Sequence, residues 1–304
     1  MNKICIGIDI GGTNIRIGHG SQGAPLLGYQ RVPRTQVLTG ENVVANVAAF
    51  IQQYIQRFEI KQCDIQAIGI GLPSVLSVDR RMVLQTPNIP GMDQIALAKE
   101  LEELLQLPVY LERDTNLLFL CDSYGMTYSG AALGIYIGTG LGNALFFAGT
   151  PYIGFNGAAA ELGHIPLRGN RLICGCGNEG CAETLASGAH LYDLQRTHYP
   201  QTEMENLFVV HKDEAMLKQF VDDIAMVVAT EINILDPEFV ILGGGVLDMK
   251  DFPKEYIISR IHHYCRKPYP EKNLRLLFSK ESQHSGVRGA IIYATNKELE
   301  EVKC

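Results

Sequence analysis

A strand, a glycine turn and a second strand occur twice in this chain, and few folds accommodate that repetition. In the first copy Ile4, Ile6, Ile8 and Ile10 alternate with smaller or polar residues, Gly11-Gly12-Thr13 breaks the run, and Ile15 and Ile17 resume it. In the second, Gly134 to Ile137 leads into Gly138-Thr139-Gly140, and the pattern returns through Leu141 to Leu145. Period-two alternation is strand periodicity, and glycine admits the tight turn. The two copies predict a duplicated half-fold. Between them the spacing predicts a helix over 41–58, a strand at 65–71, a helix over 93–105 and a strand at 108–112 ahead of an apolar helix. Beyond the second copy, Leu217, Phe220, Ile224, Val227, Val228 and Leu235 mark a buried helix that Asp236-Pro237 stops. The apolar strand Phe239 to Leu242 then runs into Gly243-Gly244-Gly245, and a closing helix follows from Val287. Helices alternate with strands, so the class is α/β.

At 304 residues the chain exceeds what one core serves, which predicts two domains meeting at a hinge near 117–127 without a low-complexity linker. A net charge of −7 leaves no footprint for nucleic acid and no polybasic patch for a membrane surface. The longest apolar candidate, 131–147, is broken by Gly138, Gly140 and Gly142, so no membrane span is expected. Met1-Asn2-Lys3 runs straight into the first strand without a signal-peptide pattern, which points to the cytoplasm. Cys5, Cys63, Cys121, Cys265 and Cys304 are scattered, as expected of reduced thiols.

Cys174, Cys176 and Cys181 are different. With His164 of Glu161-Leu162-Gly163-His164 they make a complete tetrahedral zinc set, and Gly175, Gly177 and Gly180 allow the backbone to wrap one ion. Four protein ligands leave no position for a reacting water, so the metal is expected to be structural. The chemistry then falls to the flanking Glu161 and Glu183. A thiol redox role does not fit this spacing or the added His and Cys.

The two glycine turns, Asp9 with Gly11, Gly12, Thr13 and Asn14, and Gly138, Thr139, Gly140 and Gly142, offer N–H groups and hydroxyls to the phosphates of ATP. Asp9 supplies a hard oxygen for Mg²⁺, directly or through water, and Gly243, Gly244 and Gly245 form a junction where backbone approaches a nucleotide. Either turn alone reads equally well as an ordinary hairpin. A dinucleotide fingerprint at 138–142 is disfavoured because a strand follows the turn instead of a helix. Asp114, in Glu112-Arg113-Asp114-Thr115-Asn116 after a strand, is the candidate general base for a hydroxyl proton, with helix capping as the plain alternative.

In this order, Asp9-Ile10-Gly11-Gly12-Thr13, Arg113-Asp114-Thr115-Asn116, Glu161-Leu162-Gly163-His164 and Cys174 to Glu183 resemble the ROK family, and the likeness runs from about Ile4 to the closing helix. The resemblance implies an actin-like, ribonuclease-H-like ATPase fold with an interdomain cleft, ATP-dependent sugar phosphorylation and a homodimer. It divides the chain into an N-terminal domain, 1–118 completed by 287–304, and a C-terminal domain, 119–286. It also implies Asp114 as catalytic base and sugar contacts at Asn88, Arg113, Glu161, His164 and Glu183, with Gly71-Leu72-Pro73 lining the pocket. Most sugar-phosphorylating members carry Asn at the position of Arg113. A guanidinium only donates hydrogen bonds, so glucose is expected to fit less well, and the likeness leans toward D-allose, an epimer at one ring hydroxyl, with glucose, fructose or N-acetylmannosamine as the alternative substrates and a non-catalytic sugar sensor as the alternative of another class. Ser74 and Met92 also depart from the pattern and are expected to alter the pocket wall. Family repressors place a DNA-binding domain ahead of the first strand, where three residues stand here, so direct DNA binding is not expected.

Overall fold

The computed structural model describes residues 3–39, 42–86, 89–280 and 283–301. Two compact units divide the chain: Met1–Gly125 with Ile153–Ala159 and Ser282–Cys304, and Met126–Tyr152 with Ala160–Glu281. The sequence pattern gives no sign that Ile153–Ala159 groups with the first unit, and it sets the main boundary a few residues earlier.

In the first unit, β1 (Ile4–Ile10), β2 (Asn14–Gly20) and β3 (Leu27–Pro33) form an antiparallel meander. After the short helix α1 (Arg34–Val37) come α2 (Val43–Arg57), β4 (Ile65–Leu72) and a small hairpin of β5 (Val75–Leu76) and β6 (Val83–Gln85). Next are α3 (Leu97–Leu105), β7 (Val109–Arg113) and α4 (Asp114–Asp122). The five-stranded sheet has the order β3-β2-β1-β4-β7, with β1, β4 and β7 parallel.

The alternation in β1 has a packing reason on each face. Ile6, Ile8 and Ile10 join Ile15 and Ile17 in a core covered by the buried stripes of α2 and α3. On the other face, Gly7 lies beside Gly69 of β4, and the last helix (Ser285–Glu301) packs directly on that notch. A Cβ at Gly7 would stand 2.2 Å from the Val287 carbonyl oxygen, and one at Gly69 2.2 Å from that of Ala290. Gly289 meets α4 as tightly, since a Cβ there would stand 1.9 Å from the Leu117 carbonyl oxygen. The obstacle is backbone and cannot rotate away. Gly289→Ala is therefore expected to destabilise the protein by about 1–3 kcal/mol, read as a lower urea midpoint at unchanged slope. An unchanged midpoint would contradict this packing.

The second unit repeats the plan. β8 (Ala131–Ile137), β9 (Leu141–Phe147) and β10 (Thr150–Pro151) form a meander, and β11 (Phe239–Gly243) and β12 (Leu276–Phe278) add in parallel, giving the order β10-β9-β8-β11-β12. The helices are α5 (Gly188–His198), α6 (Leu207–His211), α7 (Ala215–Leu235) and α8 (Lys254–Tyr264). Leu133, Ile135, Ile137, Leu141, Leu145, Val240 and Leu242 share one core with the apolar stripe of α7. That helix ends where Asp236 takes a left-handed φ of 44° before Pro237. Among the described residues no helix is long and apolar enough to cross a membrane.

Candidate functional site

Parallel strands deliver their chemistry at one end of the first unit's sheet. Asp9 of β1 is in register with Gly71 of β4, Gly71 with Glu112 of β7, and Leu72 with Arg113. Two strand spacings, about 9–10 Å, therefore separate β1, which carries Asp9, from β7, which Asp114 directly follows. Both carboxylates lie at the carboxyl ends of the strands, where open α/β sheets bind their ligands.

Asp9 accepts a 2.8 Å bond from Arg16 Nη1 at its Oδ2. Burial raises the Asp9 pKa and the guanidinium opposes that rise. Gly286, in the first turn of the last helix, packs against the same carboxylate, and a Cβ there would lie 2.8 Å from Asp9 Cγ. The adjoining turn is closed by a bond from Gly11 N–H to the Asn14 carbonyl, 2.9 Å. Among the described residues nothing lies within 4 Å of a Cβ built on Gly12, so the turn offers bare backbone.

Asp114 opens α4. The cap position is held by Arg113, whose side chain makes no capping bond, while Asp114 Oδ1 accepts from the Thr115 N–H at 2.7 Å. Behind it lies buried Glu112, whose Oε1 accepts from the Arg113 N–H at 2.8 Å and from Asn116 Nδ2 at 3.1 Å and pairs with Arg80 at 3.3 Å. The strand-to-helix junction is thus fixed from inside. Arg113 Nη1 donates to the Ala159 carbonyl at 2.6 Å, and Arg80 Nη1 to that of Gly157 at 2.9 Å. Arg113, expected from the resemblance to meet a sugar hydroxyl, grips the end of the Ile153–Ala159 segment, just ahead of Glu161, in the fold. Sequence reasoning missed Arg80 and Glu112.

In the second unit, β8 and β11 are parallel neighbours, and both run into glycine turns at the same sheet end. Gly138, Thr139 and Gly140 have their carbonyls occupied within the protein, by the N–H groups of Gly188, Ala189 and Gly138 at 2.8, 2.9 and 3.0 Å. Carbonyls would repel phosphate oxygens, so tying them inward suits a phosphate turn. Gly142 pairs with Tyr136 across the hairpin. Gly243 sits against Ser279 and Tyr136, and Gly244, with φ of 99°, has the Ile137 carbonyl where a Cβ would project, at 2.5 Å. Gly245 has nothing within 4 Å of that position among the described residues.

His164, Cys174, Cys176 and Cys181 converge, with one donor atom of each within 4.8 Å of all the others. Cys174 Sγ is 3.6 Å from His164 Nδ1, and Cys176 Sγ is 3.6 Å from Cys181 Sγ. Ligands at Zn–S of ~2.3 Å and Zn–N of ~2.0 Å on a tetrahedron lie roughly 3.5–3.8 Å apart, so the donor set fits zinc. The backbone N–H of Asn178 lowers the Cys176 pKa, toward the thiolate that binds metal, whereas burial raises those of Cys174 and Cys181, which an ion would have to offset. Gly177 and Gly180 adopt left-handed φ of 94° and 85°, while Gly175 does not need that conformation.

The acids flanking the quartet are held by it and by the turn. Glu161 Oε2 lies 3.7 Å from His164 Nε2, the ring nitrogen opposite the sulfur-facing one, a carboxylate–imidazole arrangement that orients a metal-binding histidine. Glu183 Oε2 accepts from the Leu141 N–H at 2.9 Å, and a Cβ at Gly140 would collide with it at 2.2 Å. Metal loop and glycine turn therefore share Glu183. Leu162, which begins the short 3₁₀ turn Leu162–His164, donates its N–H to Asn143 Oδ1 at 3.0 Å, and Asn143 Nδ2 donates to Glu231 Oε1 at 2.6 Å. Neither Asn143 nor Glu231 was singled out from sequence. The signal was a polar residue on each of two otherwise apolar core faces.

Asn88 lies outside the described residues. Met92, expected in the pocket wall, is fully buried in the first unit's core, so its effect on any pocket is indirect. Ser74 is buried too, its hydroxyl 2.6 Å from that of Thr86.

Two sheets of identical strand order, with glycine turns and carboxylates at their strand ends, define a duplicated α/β architecture, the actin-like ATPase fold. Residues 5–297 match the ROK family, and the chain belongs to it. It is 28% identical over 307 residues to the N-acetyl-D-glucosamine kinase of Aliivibrio salmonicida (strain LFI1238), covering 93% of this chain and 97% of that protein. Among solved structures, the ROK hexokinase from Thermus thermophilus superposes with a TM-score of 0.78 at 28% identity, over 98% of this chain and 99% of the other. A ROK family glucokinase from Streptomyces griseus in complex with glucose and AMPPNP gives 0.79 at 25% identity, over 96% and 99%.

Proposed function

We propose that this protein is an ATP-dependent kinase that phosphorylates the 6-hydroxyl of an aldohexose. The observation that carries this reading is the register that brings the ends of β1, with Asp9, and β7, which Asp114 follows, to the same end of one sheet, two strands apart. Asp114 takes the hydroxyl proton as the oxygen attacks the terminal phosphorus and the bond from that phosphorus to the bridging oxygen breaks, releasing ADP; Glu161, His164 and Glu183, with Asn88 and Arg113, fix the sugar ring. The glycine turns bind ATP through backbone N–H groups. Mg²⁺ held at Asp9, directly or through water, would neutralise phosphate charge. Structural zinc at the Cys₃His quartet would keep Glu161 and Glu183 in place. The relatives named above support the sugar-kinase class.

Within that class D-allose is the sugar proposed, on the likeness described above with the donor-only Arg113 as secondary support; the relatives named above are kinases of N-acetyl-D-glucosamine and glucose, which the same assay must include. ADP release measured across D-allose, glucose, N-acetylglucosamine, mannose, fructose and N-acetylmannosamine tests it, with D-allose turned over best. Sugar binding without turnover of any would make the protein a sensor instead. Arg113→Asn is expected to narrow the allose-to-glucose ratio of kcat/KM by about tenfold, because an amide can accept as well as donate. An unchanged ratio would remove Arg113 from selectivity. The protein is proposed to work as a homodimer, which sedimentation would read.

A further inference from the structure

Asn143 and Glu231 are polar residues where the packing asks for apolar ones. Asn143 sits on β9 on the face shared by Leu141 and Leu145, and Glu231 lies on the α7 stripe between Val228 and Leu235. They are 1% and 7% exposed. Burying an amide and a carboxyl there is unfavourable unless their bonds serve something. Burial pushes Glu231 up to about 7, partly offset by the Asn143 amide, and its Oε2 is buried with no hydrogen-bond partner among the described residues.

We propose that Glu231 is a positioning residue for the Glu161–His164 segment, acting through the side chain of Asn143. The bonds dictate the logic. The Leu162 backbone N–H can only donate, so Asn143 must face it with Oδ1, and Nδ2 must then find an acceptor on the other side. Glu231 Oε1 is that acceptor. With it in place the amide cannot turn over, and Leu162, flanked by Glu161 and leading to His164, stays fixed to the sheet. Without it the amide loses the contact that orients it, and the segment loosens. The inference rests on the reading that Glu161 and His164 meet the sugar.

Zinc-loaded wild type, Glu231→Leu and Glu231→Gln are to be compared by calorimetric hexose affinity, by KM for ATP, and by amide hydrogen exchange of residues 160–165, which needs no ligand. Glu231→Leu suits the apolar surroundings but removes the acceptor. It is expected to weaken hexose binding about tenfold and to speed exchange at 160–165 by a similar factor, with KM for ATP unchanged within about twofold. Glu231→Gln keeps an acceptor oxygen and is expected to restore both. Asn143→Ser breaks the same link from the strand side and is expected to behave as Glu231→Leu does, which covers the case that the leucine variant does not fold. Unaltered exchange at 160–165 in folded Glu231→Leu or Asn143→Ser would overturn the proposal, as would Glu231→Gln failing as badly as leucine. If wild type turns over no hexose, the kinase reading fails alone, because the exchange comparison still decides the role of Glu231.

Discussion

Asp114→Asn is expected to lower kcat by about 10²–10⁴-fold while hexose affinity stays within a few-fold of wild type, the pattern of a lost general base. The local structure makes the substitution clean. Asparagine retains the oxygen that accepts the Thr115 N–H, and the junction around it is held by Glu112, Asn116 and Arg80, none of which changes. What disappears is the ability to take a proton. At about 1.4 kcal/mol per decade the expected loss is roughly 3–5 kcal/mol of transition-state stabilisation. Were hexose affinity to fall by as much as kcat, Asp114 would be a binding or structural group; a kcat within about tenfold of wild type would give the proton to another residue.

The second large effect concerns the metal quartet. Cys176→Ser is expected to abolish stoichiometric zinc, measured by elemental analysis, and to weaken hexose binding at least about tenfold while nucleotide affinity changes little. The asymmetry follows from what the quartet holds. His164 Nε2 lies 3.7 Å from Glu161 Oε2 and Cys174 Sγ 3.9 Å from Glu183 Oε1, so losing the ion would loosen Glu161 and leave Glu183 held from the Leu141 N–H side. The first unit's glycine turn is closed by its own Gly11–Asn14 bond and does not depend on the metal. Full hexose affinity in zinc-free protein would separate the metal from recognition.

Much of this molecule was legible in order along the chain. The isoleucine alternation, the repeated glycine turns and the Asp236-Pro237 stop gave strands and helices within a few residues of where they lie, because period and backbone restriction are local properties. The Cys₃His quartet was legible for a related reason: thiols and imidazole at short spacing have few other uses than holding a metal.

The helix over 93–105 starts four residues later than expected, at Leu97, because the fold and not the periodicity decides where a helix begins to pay for its ends. β3 and β12 went unread: neither has a fully buried residue, so neither carries the apolar pattern that marks the edge strand β7.

The sequence by itself determined a duplicated α/β chain, its two glycine turns, its Cys₃His quartet and Asp114 just past a strand end, all consequences of neighbouring residues. Only the tertiary structure decided that Gly7 and Gly69 form the notch for the last helix, that Arg113 grips the Ala159 carbonyl, and that Glu231 reaches the Glu161–His164 segment through Asn143. Each of these joins residues far apart in the chain, and side-chain bonds across such separations exist only once the sheet has brought their elements together.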